Sequence, residues 1–230
     1  MRPRRLVPAM PADGDLESAL AVVRELEVDE IAAAIASIGF SCTRCGACCR
    51  AHGDDHTATI FPDEIRQIAD GDRYDWRDVA RPMPYGLDAE GDGETIEWAL
   101  QTDGCGDCAF LETAPDGTTA CGVYPDRPSI CRTYPFSLAA TPSGQPLGGP
   151  VERVGPVVAH ECEGLGEPIE AEAARDLASA LKTRAVTALE EAIAVRDHLQ
   201  TSRPSAPTTV VDSEGVKHPD GTPVRGPDGR

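Results

Sequence analysis

The chain has 230 residues, of which 40% are hydrophobic and 4% aromatic, and its formal net charge is −18. The acid excess repels phosphate backbones and anionic lipids, so we expect the protein to bind neither nucleic acid nor membranes. No apolar run approaches the roughly 20 residues that a membrane-spanning helix requires.

The N-terminal segment is predicted to be a flexible arm over residues 1–12, followed by a helix. Arg4 and Arg5 precede prolines and aspartates instead of the apolar stretch of a secretory signal. This predicts a cytoplasmic protein with reduced thiols. Hydrophobic residues then recur at helical spacing over residues 15–37, and Gly39 suits the position that ends a helix.

A second helix is predicted over residues 61–68, where Pro62 lies in the first turn and Gly71 follows the last. Residues 75–81 predict one or two more helical turns. The alternation of residues 94–100 predicts a strand.

A β-hairpin is predicted from residues 109–112 and 118–123, because Asp116 and Gly117 favour a tight turn between them. Residues 128–134 predict a short helix bounded by prolines. The Gly- and Pro-rich residues 141–156 predict a loop or a loosely paired strand.

A long amphipathic helix is predicted over residues 169–200, followed by a mobile tail over residues 201–230. Within that tail, Thr209 to Asp212 and Val216 suit a small docked hairpin. The predicted fold class is therefore α+β: a small loop-rich cysteine-cluster domain over residues 13–200, with its motif core at residues 40–166. It has a short β-hairpin, N-terminal helices and a long C-terminal helix.

Acidic side chains outnumber basic ones by 39 to 21, and the only lysines are Lys182 and Lys217. This pattern favours a halophilic protein, because strong salt screens the repulsion between carboxylates. The alternative is an ordinary acidic cytoplasmic protein whose GC-rich coding sequence favours arginine over lysine.

The nine cysteines are the main functional signal. Four of them form a C-x2-C-x2-C-C motif, two form a separate C-x2-C motif, and three stand alone. The candidate metal ligands are Cys42, Cys45, Cys48, Cys49, Cys105, Cys108, Cys121, Cys131 and Cys162. Disulfides are disfavoured by the odd number and by the missing secretory signal.

Thiolates at this spacing favour either an iron–sulfur cluster or zinc. Three cysteines at two-residue intervals with a remote fourth resemble the ligand pattern of a 4Fe–4S cluster, which favours iron–sulfur over zinc. Gly46 permits a tight turn and offers an N–H to a cluster sulfur. Arg127 and Arg132 lie near Cys131 in sequence and are candidates for contact with the cofactor or with an anionic substrate.

Three histidines are secondary candidates. His52 and His56 are four residues apart after the first motif, and His160 precedes Cys162. Each suits either metal ligation or an ordinary hydrogen bond, and both alternatives stay open.

Four blocks of sequence carry a resemblance to a known family: residues 40–50, 108–111, 121–136 and 162–166. They resemble the YkgJ-type cysteine-cluster family of zinc- or iron-chelating domains, to which the flagellin lysine N-methylases are distantly related. The resemblance implies ligation by all the cysteines except Cys105, which is an extra cysteine relative to the family pattern.

The resulting expectation is a metal-binding protein, with an iron–sulfur cluster and a redox or cluster-related role. The alternatives are a structural zinc module that docks an unidentified protein partner, and a methyltransferase-like or oxidoreductase enzyme. We find no nucleotide-binding loop and no metalloprotease motif that would support an enzyme.

Overall fold

The computed structural model describes residues 16–52, 55–70, 73–139, 149–199 and 208–224. The predicted arm at residues 1–12 and Gly71 lie outside these ranges. None of the helices in the described ranges is long and apolar enough to cross a bilayer.

The N-terminal helical segment is two helices, α1 (Leu16–Glu25) and α2 (Val28–Ile38), where the sequence predicts one. The ammonium group of Lys182 donates to the carbonyl oxygens of Arg24 and Leu26, at 2.8 and 2.6 Å. These bonds satisfy carbonyls that the break leaves without helical partners, so the break is stabilised by a distant lysine. Gly39 ends α2 as predicted: its φ is 78°, and its N–H donates to the carbonyl oxygen of Ile35.

The other helices agree closely with the prediction. They are α3 (Pro62–Ile68), α4 (Trp76–Val79), α5 (Ser129–Thr133) and the long α6 (Ala171–Leu199). Residues 75–81 form one helical turn as predicted, but the turn ends at Val79 because a strand begins at Ala80.

Eleven short strands lie within the described residues. They are β1 (Thr59–Ile60), β2 (Ala80–Pro82), β3 (Gly93–Ile96), β4 (Trp98–Leu100), β5 (Leu111–Thr113), β6 (Thr119–Cys121), β7 (Phe136–Leu138), β8 (Pro150–Val154), β9 (Val157–His160), β10 (Thr208–Asp212) and β11 (Gly215–Lys217). They form four sheets with the orders β1-β4-β2, β11-β10-β3, β5-β6 and β7-β9-β8. The α+β class and the predicted β5-β6 hairpin are confirmed.

The strand predicted over residues 94–100 is wrong in one respect, because it is two strands in two sheets. Glu97 separates β3 from β4 with a left-handed φ of 72°, a conformation that L-residues rarely adopt in a continuous strand. The chain therefore turns at this point and delivers Trp98, which is fully buried, to a different sheet.

The hairpin predicted at the C-terminal end is present as β10 and β11, and it is part of the packed structure. Strand β10 pairs in parallel with β3. Val210 and Val211 are fully buried, and the carboxylate of Asp212 accepts a hydrogen bond from Trp98 Nε1 at 2.9 Å. Residues 208–224 therefore differ from the mobile tail that composition predicts.

Two hydrophobic cores result. The first lies where α1, α2 and the β7-β9-β8 sheet pack on α6. The second includes Trp98, Ile130 and Val210, and Cys108 is buried within it. Three other cysteines pack against this second core: Cys49, Cys121 and Cys131. The second core therefore positions half of the thiols that line the cavity described next.

Candidate metal centre

One cavity of about 330 Å³ gathers eight of the nine cysteines from segments far apart in the chain. Its wall includes Cys42, Cys45, Cys48, Cys49, Cys108, Cys121, Cys131 and Cys162. Gly46, Arg127 and Arg132, the predicted cofactor contacts, line the same cavity. Cys105 is not on its wall.

The loop that carries the first motif depends on Gly46. This residue has a φ of 74°, and a Cβ atom built on it would stand 2.9 Å from Thr119 Oγ1 on strand β6. Beyond it, residues 47–49 form a single 3-10 turn, in which the N–H of Cys49 donates to the carbonyl of Gly46 at 3.0 Å. Any larger residue would both strain the backbone and separate this loop from the hairpin.

Cys48 and Cys49 stand with their Sγ atoms 3.9 Å apart. With metal–sulfur bonds of about 2.3 Å and tetrahedral angles, two thiolates on one zinc ion are about 3.8 Å apart. The observed separation therefore fits two ligands of a single tetrahedral ion.

The remaining cysteines reach the cavity from the hairpin, from α5 and from the segment after β9. The N–H of Cys108 donates to the carbonyl of Cys49 at 2.8 Å, which joins the two motifs directly. After Cys162, the carbonyl of Gly164 accepts from the N–H of Ser41 at 3.0 Å, so this segment closes against the start of the first motif.

Cys105 occupies a different position although it belongs to the same C-x2-C motif as Cys108. It is exposed, on a turn in which Asp103 Oδ1 accepts from the backbone N–H of Cys105 at 2.8 Å and of Asp107 at 3.1 Å. The structure therefore separates the cysteine that is extra to the family pattern from the other eight.

Several cavity thiols have raised pKa values. A hydrogen bond with Cys49, together with burial, raises the pKa of Cys48, and burial raises that of Cys108 to about 11. Burial also raises the pKa of Cys121 and Cys162, and that of Cys131 well above its ordinary value. A bound cation reverses this preference for the neutral thiol, so metal binding releases protons from these groups.

Arg127 is a cavity cation that acts on two of these thiols. Its charge acts against the burial effect by lowering the pKa of Cys48 and Cys121. Its guanidinium carbon lies 3.8 Å from the ring centroid of Tyr124, so the side chain stacks on the ring. Its Nε atom is buried and has no acceptor among the described residues.

The three candidate histidines have separate environments. His56 is 3% exposed and lines the cavity, with Nε2 at 3.0 Å from the carbonyl oxygen of Cys48. A carbonyl only accepts, so Nε2 carries the proton and Nδ1 presents a lone pair that lacks a partner within the described chain. His52 bonds to the carbonyl of Ala47, and His160 lies buried against Ser137 Oγ at 2.9 Å.

Arg184 on α6 is a residue that the sequence patterns did not single out. Its guanidinium is largely buried behind Cys131 and donates to Thr133 Oγ1 at 2.9 Å. Burial lowers the pKa of Arg184 to about 10, and the nearby Cys131 acts in the opposite direction. No local motif could have identified it, because it lies more than 50 residues from Cys131 in the chain.

The donor set suits a thiophilic metal, although no three of its thiols, all within the described residues, stand close enough together to share one ion. Within the described residues, no three side chains of His, Cys, Asp or Glu form a group compact enough to hold an ion. The lining nonetheless supplies eight soft sulfur donors and a buried imidazole lone pair, the chemistry that zinc and iron–sulfur centres use. Ligation by three or more of these side chains therefore requires them to stand closer together than they do here.

Comparison with known families agrees with this donor set. The family described as "CxxCxxCC: Putative zinc- or iron-chelating domain" matches residues 41–163, which is just over half of the chain. No curated protein and no solved structure matches the chain. The distant relation to flagellin lysine N-methylases stays a prediction.

Proposed function

Because the chain belongs to this CxxCxxCC family of zinc- or iron-chelating domains, we propose that its metal centre is polynuclear. The proposed centre is an iron–sulfur cluster with a redox or cluster-related role. The observation that carries the proposal is the single cavity with eight thiols. A tetrahedral zinc ion uses four ligands, and one iron–sulfur cluster uses four cysteines, so eight thiols in one cavity exceed the needs of a single ion and support a centre with several metal ions.

An iron–sulfur centre would supply one-electron transfer at a potential set by charge, hydrogen bonding and burial. The chain contributes features that act on each of these. Arg127 and Arg184 add positive charge, the N–H of Ala47 donates to Cys45 Sγ at 3.5 Å, and the second core excludes water behind Cys131. Positive charge and N–H donors beside the sulfurs both stabilise the more reduced, more negative state.

The test begins with anaerobic purification, followed by measurement of iron, sulfide and zinc. We expect iron and acid-labile sulfide, with visible absorbance that dithionite bleaches. A colourless protein with stoichiometric zinc and no sulfide would refute the iron–sulfur proposal.

The second C-x2-C motif provides a matched pair of variants. We expect Cys108→Ser to lower the metal content, because Cys108 lines the cavity. We expect Cys105→Ser to leave it unchanged. Equal losses in both variants would contradict the assignment of the eight cysteines to one centre.

A structural zinc module is the second candidate, and the Cys48–Cys49 separation of 3.9 Å favours it. In a cubane cluster each iron takes its own cysteine, whereas two thiolates at this separation fit one zinc ion or one iron of a two-iron cluster, so the distance favours zinc over a cubane only. Under this alternative, the zinc-loaded protein is colourless and keeps the same zinc content and absorbance after dithionite reduction, because zinc is not redox-active. X-ray absorption spectroscopy would then show sulfur at about 2.3 Å from zinc.

A further inference from the structure

The cysteine cavity also gathers arginines that have no acidic partner. Among the described residues, four arginines form neither an ion pair nor a side-chain hydrogen bond: Arg44, Arg73, Arg127 and Arg132. All except Arg73 line the cavity. In a chain with 39 acidic and 21 basic side chains, uncompensated cations are unexpected, so their collection at one place needs an explanation.

Arg127 has the geometry of a preorganised anion receptor. Stacking on Tyr124 at 3.8 Å fixes the plane of the guanidinium and leaves the N–H groups at its edge available. The buried Nε donor has no acceptor within the described chain, and an unsatisfied buried donor is destabilising. An oxyanion that accepts from Nε and a neighbouring Nη atom would satisfy this donor in the bidentate arrangement that arginine favours.

Arg44 adds a second cation at the same ring. Its guanidinium carbon lies 5.5 Å from the centroid of Tyr124, and the ring is 48% exposed, so the pair lies where the cavity opens to solvent. Glu161 and Glu163 also line the cavity, but neither forms an ion pair with these arginines. The opening therefore keeps positive charge on an otherwise strongly acidic protein.

We propose that Arg127, Arg44 and Arg132 bind the oxyanion group of a small molecule, a carboxylate or a phosphate, at the mouth of the metal centre. The proposal rests on the proposed function only in placing this anion beside a metal. The cavity volume of about 330 Å³ lies in the range of small-ligand pockets. Arg127 also lies close to Cys48 and Cys121, so the alternative is that it only balances the charge of the thiolates.

The test uses the metal-loaded full chain and two probes, malonate for carboxylates and pyrophosphate for phosphates, each titrated by calorimetry. We expect one probe to bind with a dissociation constant below about 1 mM. We expect Arg127→Gln to weaken that binding by at least about tenfold. Arg44→Gln and Arg132→Gln, which change exposed side chains, are expected to weaken it by smaller factors.

Arg73→Gln is the matched control, because Arg73 likewise lies over a tyrosine ring, at 4.9 Å from Tyr74, but outside the cavity. We expect it to bind the probe as the unmodified chain does. The proposal is overturned if neither probe binds, or if the control weakens binding as much as Arg127→Gln. It is equally overturned if Arg127→Gln loses metal while Arg44→Gln and Arg132→Gln leave probe binding unchanged.

Metal analysis of the same samples separates this proposal from the proposed function. If the protein contains no iron and the probe still binds through Arg127, the iron–sulfur proposal fails and the anion site stands. If iron and sulfide are present and no probe binds, the anion site fails alone.

Discussion

Replacing Arg184 with methionine is expected to have opposite consequences for the metal-free and the metal-bound protein. The guanidinium of Arg184 is largely buried and donates to Thr133, and Glu64 acts on it through charge without forming an ion pair within the described chain. In the metal-free protein Cys131 is a neutral thiol, so the buried cation is poorly compensated. In the metal-bound protein the thiolate centre would compensate it.

The size of the effect follows from the pKa of Arg184, which burial lowers from its ordinary value of 12.5 to about 10. One pKa unit corresponds to about 1.36 kcal/mol, so the buried charge costs at most roughly 3 kcal/mol. Partial exposure and the lost hydrogen bond to Thr133 reduce this, and we expect Arg184→Met to stabilise the metal-free protein by about 1–2 kcal/mol. Below pH 10 the guanidinium is charged in both the folded and unfolded states, so the full effect is present at pH 7.

Urea unfolding of metal-free and metal-loaded samples measures the effect, with Arg175→Met as the control. Arg175 lies on the same helix, is exposed, and pairs with Asp29, so we expect a change within about 0.5 kcal/mol. The stabilisation that metal provides is expected to fall by about 1–2 kcal/mol in Arg184→Met, because its compensating charge is gone. Equal shifts in both forms would refute the coupling between Arg184 and the centre. Marked destabilisation of the metal-free form would refute the desolvation argument.

Three further predictions concern the C-terminal hairpin. Lys217→Met is expected to destabilise the protein by about 3–5 kcal/mol in urea unfolding, because it leaves the carboxylate of Asp212, 2.8 Å from Lys217 Nζ, buried without a cation; a change under 1 kcal/mol would contradict this. Val211→Ala is expected to cost about 1–3 kcal/mol, whereas Val22→Ala, at a site 55% exposed, is expected to cost less than about 0.5 kcal/mol. Equal costs would show that the hairpin does not pack as described. Hydrogen bonds from Arg66 and Lys217 lower the pKa of Glu214 to about 2, so its stabilising contribution is present above about pH 4.5 and lost as the pH falls toward 2. Glu214→Gln is expected to flatten the loss of stability between about pH 4.5 and about pH 2, and an unchanged loss would count against the pairing.

The helices were predictable because their signals are local. Pro62 in the first turn of α3, the prolines around α5 and the apolar period of α6 each lie within the element that they define. The break between α1 and α2 was not predictable in this way, since the carbonyls that it leaves without helical partners accept hydrogen bonds from the distant Lys182. A tertiary contact overrode a sequence pattern that favoured one continuous helix.

The strands show the opposite balance. All three residues of β7 are buried, so they lack the alternation that identifies a strand with one exposed face. Strand β10 pairs in parallel with β3, more than 100 residues earlier; the local pattern predicts the β10-β11 hairpin but not this partner. Short strands of this kind take their stability from a distant partner, and the local sequence does not carry that information.

The second C-x2-C motif, Cys105 and Cys108, shows what the spacing of cysteines does not predict. Spacing brings Cys105 and Cys108 close along the chain, but it does not fix which way each side chain faces. The N–H of Cys108 donates to the carbonyl of Cys49 and thereby brings this residue to the cavity. The N–H of Cys105 instead donates to the carboxylate of Asp103, within a turn that Asp107 ties to Ala51 through a 2.7 Å hydrogen bond. Backbone hydrogen bonds therefore place the two cysteines of one motif differently, and the aspartate two residues before Cys105 holds this residue in a turn off the cavity wall.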